Sequence, residues 1–162
     1  MSNKNAVITG GGRGIGRAIA IAFAKNGASV ALIYGGNKEA AEHTAEAIRG
    51  FGVRAAIFPW DVICIDAAQR TVDEILYEFT HIDILVNNAG ITRDGLLLSM
   101  DEDSFSRVLD INLKGSFNMI RHLYSHMMKQ RKGRIINISS VSGLMGNPGQ
   151  ANYSSAKTGI IG

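Results

Sequence analysis

Short apolar runs alternate along the chain with longer stretches in which apolar residues recur every three to four positions. The short runs are typical of strands and the periodic stretches of helices. The predicted strands cover residues 6–9, 29–34, 53–58, 82–86 and 134–138. Strands of one sheet that are joined by crossover helices run parallel, and their sheet is covered on both faces. The alternation therefore predicts an α/β fold with a doubly wound parallel sheet.

The stretches between these strands have helical periodicity. We predict helices over residues 14–25, 38–49 and 66–79, a long helix from about 99 to 129, and a last helix that starts near 152. Ser99 and Glu102 have the spacing of a capping box, which marks the start of the long helix, and Gly115 is expected to bend it. The apolar face of the first helix is predicted to contain Ile15, Ala18, Ile19, Ala22 and Phe23.

Composition limits the classes of function. The 162 residues suit a single domain, and 46% of them are hydrophobic, enough for a core. A net charge of +3 is too weak to indicate a nucleic-acid partner. There is neither a run of membrane-spanning length nor a cysteine and histidine spacing typical of zinc. We therefore expect a cytoplasmic protein without membrane, metal or nucleic acid, in which the single cysteine, Cys64, is a small buried hydrophobic residue.

A glycine-rich loop, Thr-Gly-Gly-Gly-Arg-Gly-Ile-Gly, joins the first predicted strand to the first helix at residues 9–16. Doubly wound folds bind a pyrophosphate there, because glycines let the backbone approach and the helix N-terminus supplies N–H donors. A tight turn that only packs strand against helix is the simpler alternative. A triphosphate P-loop is excluded because Arg17 and Ala18 stand where Lys and Ser or Thr are required.

The spacing of these glycines resembles that of the short-chain dehydrogenase/reductase family. Asn87-Asn88-Ala89-Gly90, after the fourth strand, matches the family's N-N-A-G motif. The resemblance spans the chain and implies a Rossmann-like sheet of strand order 3-2-1-4-5 that binds a nicotinamide dinucleotide. The cofactor-binding residues it implies are Gly10, Gly12, Arg13, Gly14, Ile15, Gly16, Asp61, Val62, Asn88, Ala89, Gly90, Tyr153 and Lys157.

The end of the second strand favours NADP(H) over NAD(H). Proteins of this fold that prefer NAD place an acid there to bind the ribose 2′-hydroxyl. Here residues 32–36 read Leu-Ile-Tyr-Gly-Gly, and the first acid is Glu39, inside the next helix. Arg13 in the glycine loop offers a fork of donors to a 2′-phosphate, although a solvated surface arginine is the alternative.

Tyr153 and Lys157 are the candidate reacting residues. They lie four positions apart, so that they share one face of a helix. A free tyrosine has a pKa near 10, and a neighbouring lysine cation favours its ionised form. This pair alone is common and also suits an amphipathic surface. Ser140, thirteen residues before Tyr153, and Asn112 complete the set of four that the family uses.

The resemblance implies a role for each of the four. Tyr153 donates a proton to the substrate carbonyl, Ser140 hydrogen-bonds the same oxygen, and Lys157 assists Tyr153 and binds the nicotinamide ribose. Asn112 holds a water that relays protons to Lys157.

Residues 89–100 and 146–153 resemble segments of 3-oxoacyl-[acyl-carrier-protein] reductases, and acetoacetyl-CoA reductases share much of the pattern. The resemblance implies NADPH-dependent reduction of a 3-oxoacyl thioester, carried by acyl-carrier protein or CoA, in fatty acid biosynthesis. It also implies a homo-oligomer, a tetramer in the complete family. The basic cluster, consisting of Lys129, Arg131, Lys132 and Arg134, either docks an acidic carrier or is a solvated loop.

Family members are usually longer and add two strands after the helix of Tyr153. We therefore expect a domain that is incomplete at its C-terminus, with the fifth strand as an exposed edge that recruits other chains. Two other functions stay open: a short-chain dehydrogenase for a sugar, steroid or other alcohol, and a non-catalytic remnant that binds a dinucleotide or a partner helix.

Overall fold

The computed structural model describes residues 1–60 and 62–162. These residues contain five strands: β1 (Asn5–Thr9), β2 (Ser29–Tyr34), β3 (Ala55–Pro59), β4 (Ile84–Asn87) and β5 (Arg134–Asn137). Their α-helices are α1 (Gly14–Lys25), α2 (Lys38–Arg49), α3 (Ile65–Phe79), α4 (Glu102–Leu109), α5 (Gly115–Lys129), α6 (Ser142–Met145) and α7 (Ala151–Ile161). A 3₁₀ turn at Leu97–Ser99 precedes α4, and a π turn at Asp110–Lys114 separates α4 from α5.

The five strands form one parallel sheet in the order β3-β2-β1-β4-β5, which confirms the predicted doubly wound fold and its strand order. All strands therefore end at the same edge, called here the carboxyl edge. The order reverses between β1 and β4, and such a switch point leaves a crevice outside the strand ends. The loops that follow β1 and β4 line that crevice.

Helices cover both faces of the sheet. On one face, Val7 and Leu85 of the sheet pack in a cluster with Val72 of α3 and Leu123 of α5. On the other face, Ile8 and Leu32 belong to a second cluster with Ala20 of α1 and Ile48 of α2. Full burial of each large apolar side chain contributes about 1.5–3 kcal/mol. The two clusters fix the positions of the strands whose carboxyl ends border the crevice.

The buried face of α1 differs from the prediction. It consists of Gly16, Ala20 and Ala24, whereas Ile15 is 64% exposed. Of the predicted inward-facing residues, Ile15, Ala18 and Ala22 are exposed, and Ile19 and Phe23 pack partly against the core. The reason is the short distance between α1 and the glycine loop, because a Cβ on Gly16 would lie 2.3 Å from the Gly10 carbonyl oxygen. Small side chains must face the sheet there.

The predicted long helix is present as continuous helical backbone from Glu102 to Lys129 that contains the π turn, but it begins at Glu102 and its proposed cap is wrong. The side chain of Asp101 accepts a hydrogen bond of 2.6 Å from the Ser104 amide and caps α4. The Ser99 hydroxyl instead donates to the Leu96 carbonyl at 3.1 Å. An aspartate oxygen satisfies the free N–H groups of a first turn as well as serine does. The predicted bend corresponds to the π turn, which ends where α5 begins at Gly115.

Other boundaries shift by one or two residues. The strands β3 and β4 both begin two residues later than predicted, at Ala55 and Ile84. The prediction that Cys64 is buried is wrong, because Cys64 is exposed just before α3. Strand β5 is an edge strand, as expected, and Ile136 on it is 41% exposed. Among the described residues, no helix is long and apolar enough to cross a membrane.

Candidate active site

A groove runs along the carboxyl edge of the sheet and consists of two adjoining cavities. The first, of about 670 Å³, extends from the glycine loop to the end of β2. The second, of about 460 Å³, extends to Tyr153 and Lys157. Both are lined by Arg13, Ile15, Asn88, Gly90 and Ile91. One elongated ligand that spans both cavities would therefore reach from β2 to α7.

The glycine loop forms the floor of the first cavity. Gly10 and Gly14 have φ values of +67° and +55°, which side chains rarely adopt. A Cβ on Gly14 would meet no atom within 4 Å, so the space above this residue is open. The loop is held from below, where the Thr44 hydroxyl donates to the Gly12 carbonyl at 3.1 Å. The backbone at the start of α1 is thus accessible to a ligand and fixed in place, as a phosphate site requires.

The segment after β4 is locked to the end of β1. The Thr9 hydroxyl oxygen accepts hydrogen bonds from the amides of Asn88 and Ala89 at 3.0 and 2.9 Å. The Asn88 side chain returns two bonds, to the carbonyls of Thr9 at 3.0 Å and Gly10 at 3.2 Å. The N-N-A-G motif therefore carries a structural role, and Asn88, Ala89 and Gly90 also line the first cavity.

The far end of the first cavity lies at the carboxyl end of β2. Its wall there includes Tyr34, Gly35, Gly36 and Asn37, and none of the described lining residues is an Asp or Glu. Arg13 is exposed at the same cavity. The predicted site residue Asp61 lies outside the described residues, whereas Val62 lines this cavity.

Trp60 and Arg107 are among the side chains of this cavity that sequence reasoning missed. Trp60 is 4% exposed and follows β3 directly, and its indole N–H donates to the Cys64 carbonyl at 3.1 Å. Arg107 reaches the cavity from α4. The position of Trp60 at a strand's carboxyl end was a usable signal, because ligands of such sheets bind there. Arg107 gave no such signal, since its place depends on how α4 crosses the sheet.

Lys157 and Tyr153 lie together in the wall of the second cavity. Lys157 is 5% exposed, and burial lowers the pKa of its ammonium group below the ordinary value. Its Nζ donates to the Ile138 carbonyl at 2.6 Å and lies 5.7 Å from the centre of the Tyr153 ring. One turn of α7 and the end of β5 thus bring a cation beside a phenol that borders the groove.

Three serines follow β5, and their hydroxyl groups have different partners. Ser139 lines the second cavity, but its hydroxyl donates to the Lys157 carbonyl at 2.8 Å. The Ser142 hydroxyl donates to Gln150 at 3.1 Å. The Ser140 oxygen accepts from the Ser142 amide at 3.2 Å, and its own hydrogen has no acceptor among the described residues. Of the three, Ser140 is therefore the serine whose hydroxyl hydrogen is not already donated, although Ser140 itself lines neither cavity.

Asn112 occupies the π turn and is 1% exposed. Its side chain pairs with both backbone groups of Ile91, accepting from the amide and donating to the carbonyl, each at 2.8 Å. A Cβ on Gly90 would lie 2.5 Å from its Oδ1 atom. In this structure the Asn112 side chain therefore holds the Gly90–Ile91 segment, which lines both cavities.

These features fit a dinucleotide. The loop at Gly14 is open to a pyrophosphate, the cavity beyond it ends near Tyr34, and the second cavity ends at the Tyr153–Lys157 pair. Fold and site together define a dinucleotide-binding α/β protein. A family model described as short chain dehydrogenase matches residues 4–162, and the chain belongs to that family, whose members bind nicotinamide dinucleotides.

Several curated relatives are similar along almost the whole chain. The 3-oxoacyl-[acyl-carrier-protein] reductase FabG of Staphylococcus epidermidis is 46% identical over 160 residues, which cover 99% of this chain and 66% of that protein. FabG of Staphylococcus aureus is 48% identical over 159 residues, covering 98% and 65%. The 3-oxoacyl-[acyl-carrier-protein] reductase of Synechocystis is 46% identical over 157 residues, covering 97% and 64%. The chain thus spans about two thirds of their length.

Among solved structures, an NAD⁺-bound xylitol dehydrogenase superimposes with a TM-score of 0.96 at 36% sequence identity. The match covers 99% of this chain and 62% of that one. The two kinds of relative differ in what their names say they act on.

The basic cluster lies at the opposite edge of the sheet from this site. It connects the end of α5 to the first residue of β5, Arg134. Lys132 forms an ion pair of 3.2 Å with Asp83, and the Arg134 side chain donates to the Gly133 carbonyl. Within one chain, the cluster is therefore remote from Tyr153.

Proposed function

We propose that the protein uses NADPH to reduce a 3-oxoacyl thioester, carried by acyl-carrier protein or CoA, to the 3-hydroxyacyl thioester in fatty acid biosynthesis. The observation that carries the proposal is the Tyr153–Lys157 pair in a cavity that adjoins the glycine-loop groove. The names of the curated relatives support the thioester substrate.

When bound in the groove, NADPH would supply the hydride that the substrate's C3 carbonyl carbon gains, and NADP⁺ would be the other product. The carbonyl oxygen gains electron density at the same time and needs a proton, which Tyr153 donates from its hydroxyl group. The Ser140 hydroxyl donates a hydrogen bond to the same oxygen. The products are a C3 alcohol and a tyrosinate, which regains its proton from solvent before the next turnover.

Lys157 makes the proton transfer easier by stabilising negative charge on the phenol oxygen. Burial would favour loss of the lysine charge, and the short bond to the Ile138 carbonyl favours its retention. Asn112 acts on the opposite wall, where it holds Ile91 against displacement. In the proposed mechanism these two residues hold the reacting groups at hydrogen-bonding distance, which acid catalysis requires.

The reaction is tested by following NADPH absorbance with acetoacetyl-CoA and acetoacetyl-acyl-carrier protein, with xylulose as the competing carbonyl substrate. We expect turnover of at least one thioester and little of the sugar. The xylitol dehydrogenase likeness makes a sugar the second candidate substrate, and faster turnover of xylulose would favour it. Cofactor binding without turnover of any carbonyl compound would favour a non-catalytic dinucleotide-binding protein.

We also expect tighter binding of NADPH than of NADH. The described wall near Tyr34 has no carboxylate to repel a 2′-phosphate, and Arg13 lies at the same cavity. A hydrogen bond to a charged group contributes about 1.5–3 kcal/mol, so Arg13→Ala should weaken NADPH binding by about tenfold or more. NADH affinity should not change. Fluorescence titration of both cofactors measures this preference.

Arg17→Ala is the matched control for Arg13→Ala. Arg17 is also exposed and lies on α1, but it does not line either cavity. A wild-type protein that binds NADH at least as tightly as NADPH would contradict the proposed preference. Equal losses of NADPH affinity in the two variants would show that only net charge matters.

Self-association and a cytoplasmic location complete the proposal. Two exposed apolar surfaces support association: the β5 edge, with Ile136 41% exposed, and the outer face of α5, where Tyr124 is 54% and Met128 60% exposed. Apolar patches of this kind on a protein surface mark interaction sites.

A further inference from the structure

Asn152 is the residue immediately before Tyr153, and it is fully buried. Its side-chain nitrogen donates to two backbone carbonyls, those of Arg93 at 2.9 Å and Ser104 at 3.1 Å. Its side-chain oxygen accepts from the amide of Tyr153 at 2.7 Å. Both N–H groups of the amide and its oxygen are thus used. One side chain connects the first turn of α7 to α4 and to the loop after β4.

Two further contacts connect the same loop to the residues that precede α7. The Gly95 amide donates to the Gly149 carbonyl at 2.9 Å. Half-buried Gln150 donates to both carboxylate oxygens of exposed Asp94, at 3.1 and 3.0 Å. Residues 93–95 and 149–152, called here the clasp, are therefore joined at three successive places, and of the residues that form these contacts within the clasp Asn152 is the buried one.

The clasp continues directly from the cofactor groove. Its first segment, residues 93–95, lies just after Ile91 in the chain. Ile91 lines both cavities, and the Asn112 side chain is hydrogen-bonded to its amide and its carbonyl. Its second segment ends at Asn152, immediately before Tyr153. The position of Tyr153 relative to the groove thus depends on α7 keeping its place against this loop. Asn152 acts directly on this position, because its side chain accepts a hydrogen bond from the backbone amide of Tyr153.

We propose that Asn152 is a positioning residue for Tyr153, an inference that rests on the proposed reductase function. It fixes α7 along its axis relative to Arg93 and Ser104, so that the Tyr153 hydroxyl meets the substrate oxygen beside the bound nicotinamide. Loss of this anchor leaves the first cavity intact, because no residue of α7 lines it, and displaces the proton donor. A displacement of about 1 Å from a productive geometry costs on the order of 10²-fold in rate.

The test compares Asn152→Ala with Asn5→Ala in the full chain. Asn5 is a matched control because its side chain also donates to two backbone carbonyls, those of Phe79 and His81, each at 2.9 Å. It lies at the opposite edge of the sheet. We expect both variants to lose stability, because each substitution leaves two backbone carbonyls without their donor. We expect Asn152→Ala to lower kcat about 30- to 100-fold, when kcat is normalised to the concentration of NADPH-binding sites, with KM and the NADPH Kd unchanged. Asn5→Ala should keep the wild-type kcat.

The solvent deuterium isotope effect separates positioning from a general structural role. When the proton donor is displaced, proton transfer becomes the slow step, so the isotope effect on kcat should rise in Asn152→Ala only. Asp94→Ala removes the hydrogen bonds between Gln150 and Asp94 and creates no cavity in the core. It replaces Asn152→Ala in the test if that variant does not fold. We expect it to lower kcat in the same way by about threefold. Equal kcat values in the clasp and control variants would overturn the proposal.

Hydrogen exchange keeps the test independent of turnover. In Asn152→Ala, amides of residues 93–95 and 149–157 should exchange about tenfold faster than in the wild type, while Asn5→Ala leaves them unchanged. If the wild type turns over neither thioester, the proposed function fails, and this exchange pattern alone decides whether Asn152 anchors α7. Unchanged exchange in that region would overturn the anchoring role as well.

Discussion

Tyr153→Phe should lower kcat by about 10²- to 10⁴-fold while NADPH binds as tightly as before, since general acid catalysis contributes that much to rates. The substitution removes only the phenolic oxygen. It keeps the ring that lies beside Lys157 and the backbone amide that Asn152 holds. Steady-state reduction of acetoacetyl-CoA gives kcat, and fluorescence titration gives the cofactor Kd.

Tyr77→Phe is the control for this change. Tyr77 is 91% exposed on α3 and lies away from both cavities, so loss of its hydroxyl should not alter turnover. If Tyr153→Phe retains more than about a tenth of the wild-type rate, Tyr153 is not the acid. If both the rate and the NADPH affinity are lost, the Tyr153 hydroxyl contributes to cofactor binding. Single-turnover measurements at saturating NADPH then separate that contribution from proton transfer.

Gly16→Ala is expected to have the largest effect on stability. The added Cβ would lie 2.3 Å from the Gly10 carbonyl oxygen and 2.5 Å from Nδ2 of Asn88. These two atoms are hydrogen-bonded to each other, so the methyl group would separate β1 and β4 at the point where the groove begins. Overpacking of a core costs about 1–3 kcal/mol, and backbone atoms move aside less easily than side chains. We therefore expect the free energy of unfolding to fall by about 3 kcal/mol or more.

Urea unfolding measures this loss, and NADPH titration should show that the remaining folded protein binds the cofactor poorly. Gly36→Ala is the stability control, because a Cβ at Gly36 would meet no atom within 4 Å. Its free energy of unfolding should change by no more than about 0.5 kcal/mol. A Gly16→Ala protein as stable as the control would show that the glycine loop can move away from α1, contrary to the close packing described above.

Most of the fold could be predicted from the sequence. Short apolar runs and helical periods are local patterns, and the right-handed crossover rule then leaves few ways to arrange parallel strands. The predicted boundaries were less accurate where side chains compete for the same backbone groups. Asp101 rather than Ser99 caps α4, because only the structure decides which oxygen reaches a free amide.

The sequence by itself determined the parallel sheet, the place of the glycine loop and the pairing of Tyr153 with Lys157, because each follows from spacing along one or two neighbouring elements. The strand order was predicted from the resemblance to short-chain dehydrogenases, and the structure confirmed it. Only the tertiary structure decided that small residues face inward on α1, that Asn112 holds Ile91, and that Asn152 joins α7 to a loop 59 residues earlier. The reason is physical. Hydrogen bonds and close packing between segments far apart in the chain depend on distances of a few tenths of an ångström, which the pattern of residues along the chain does not specify.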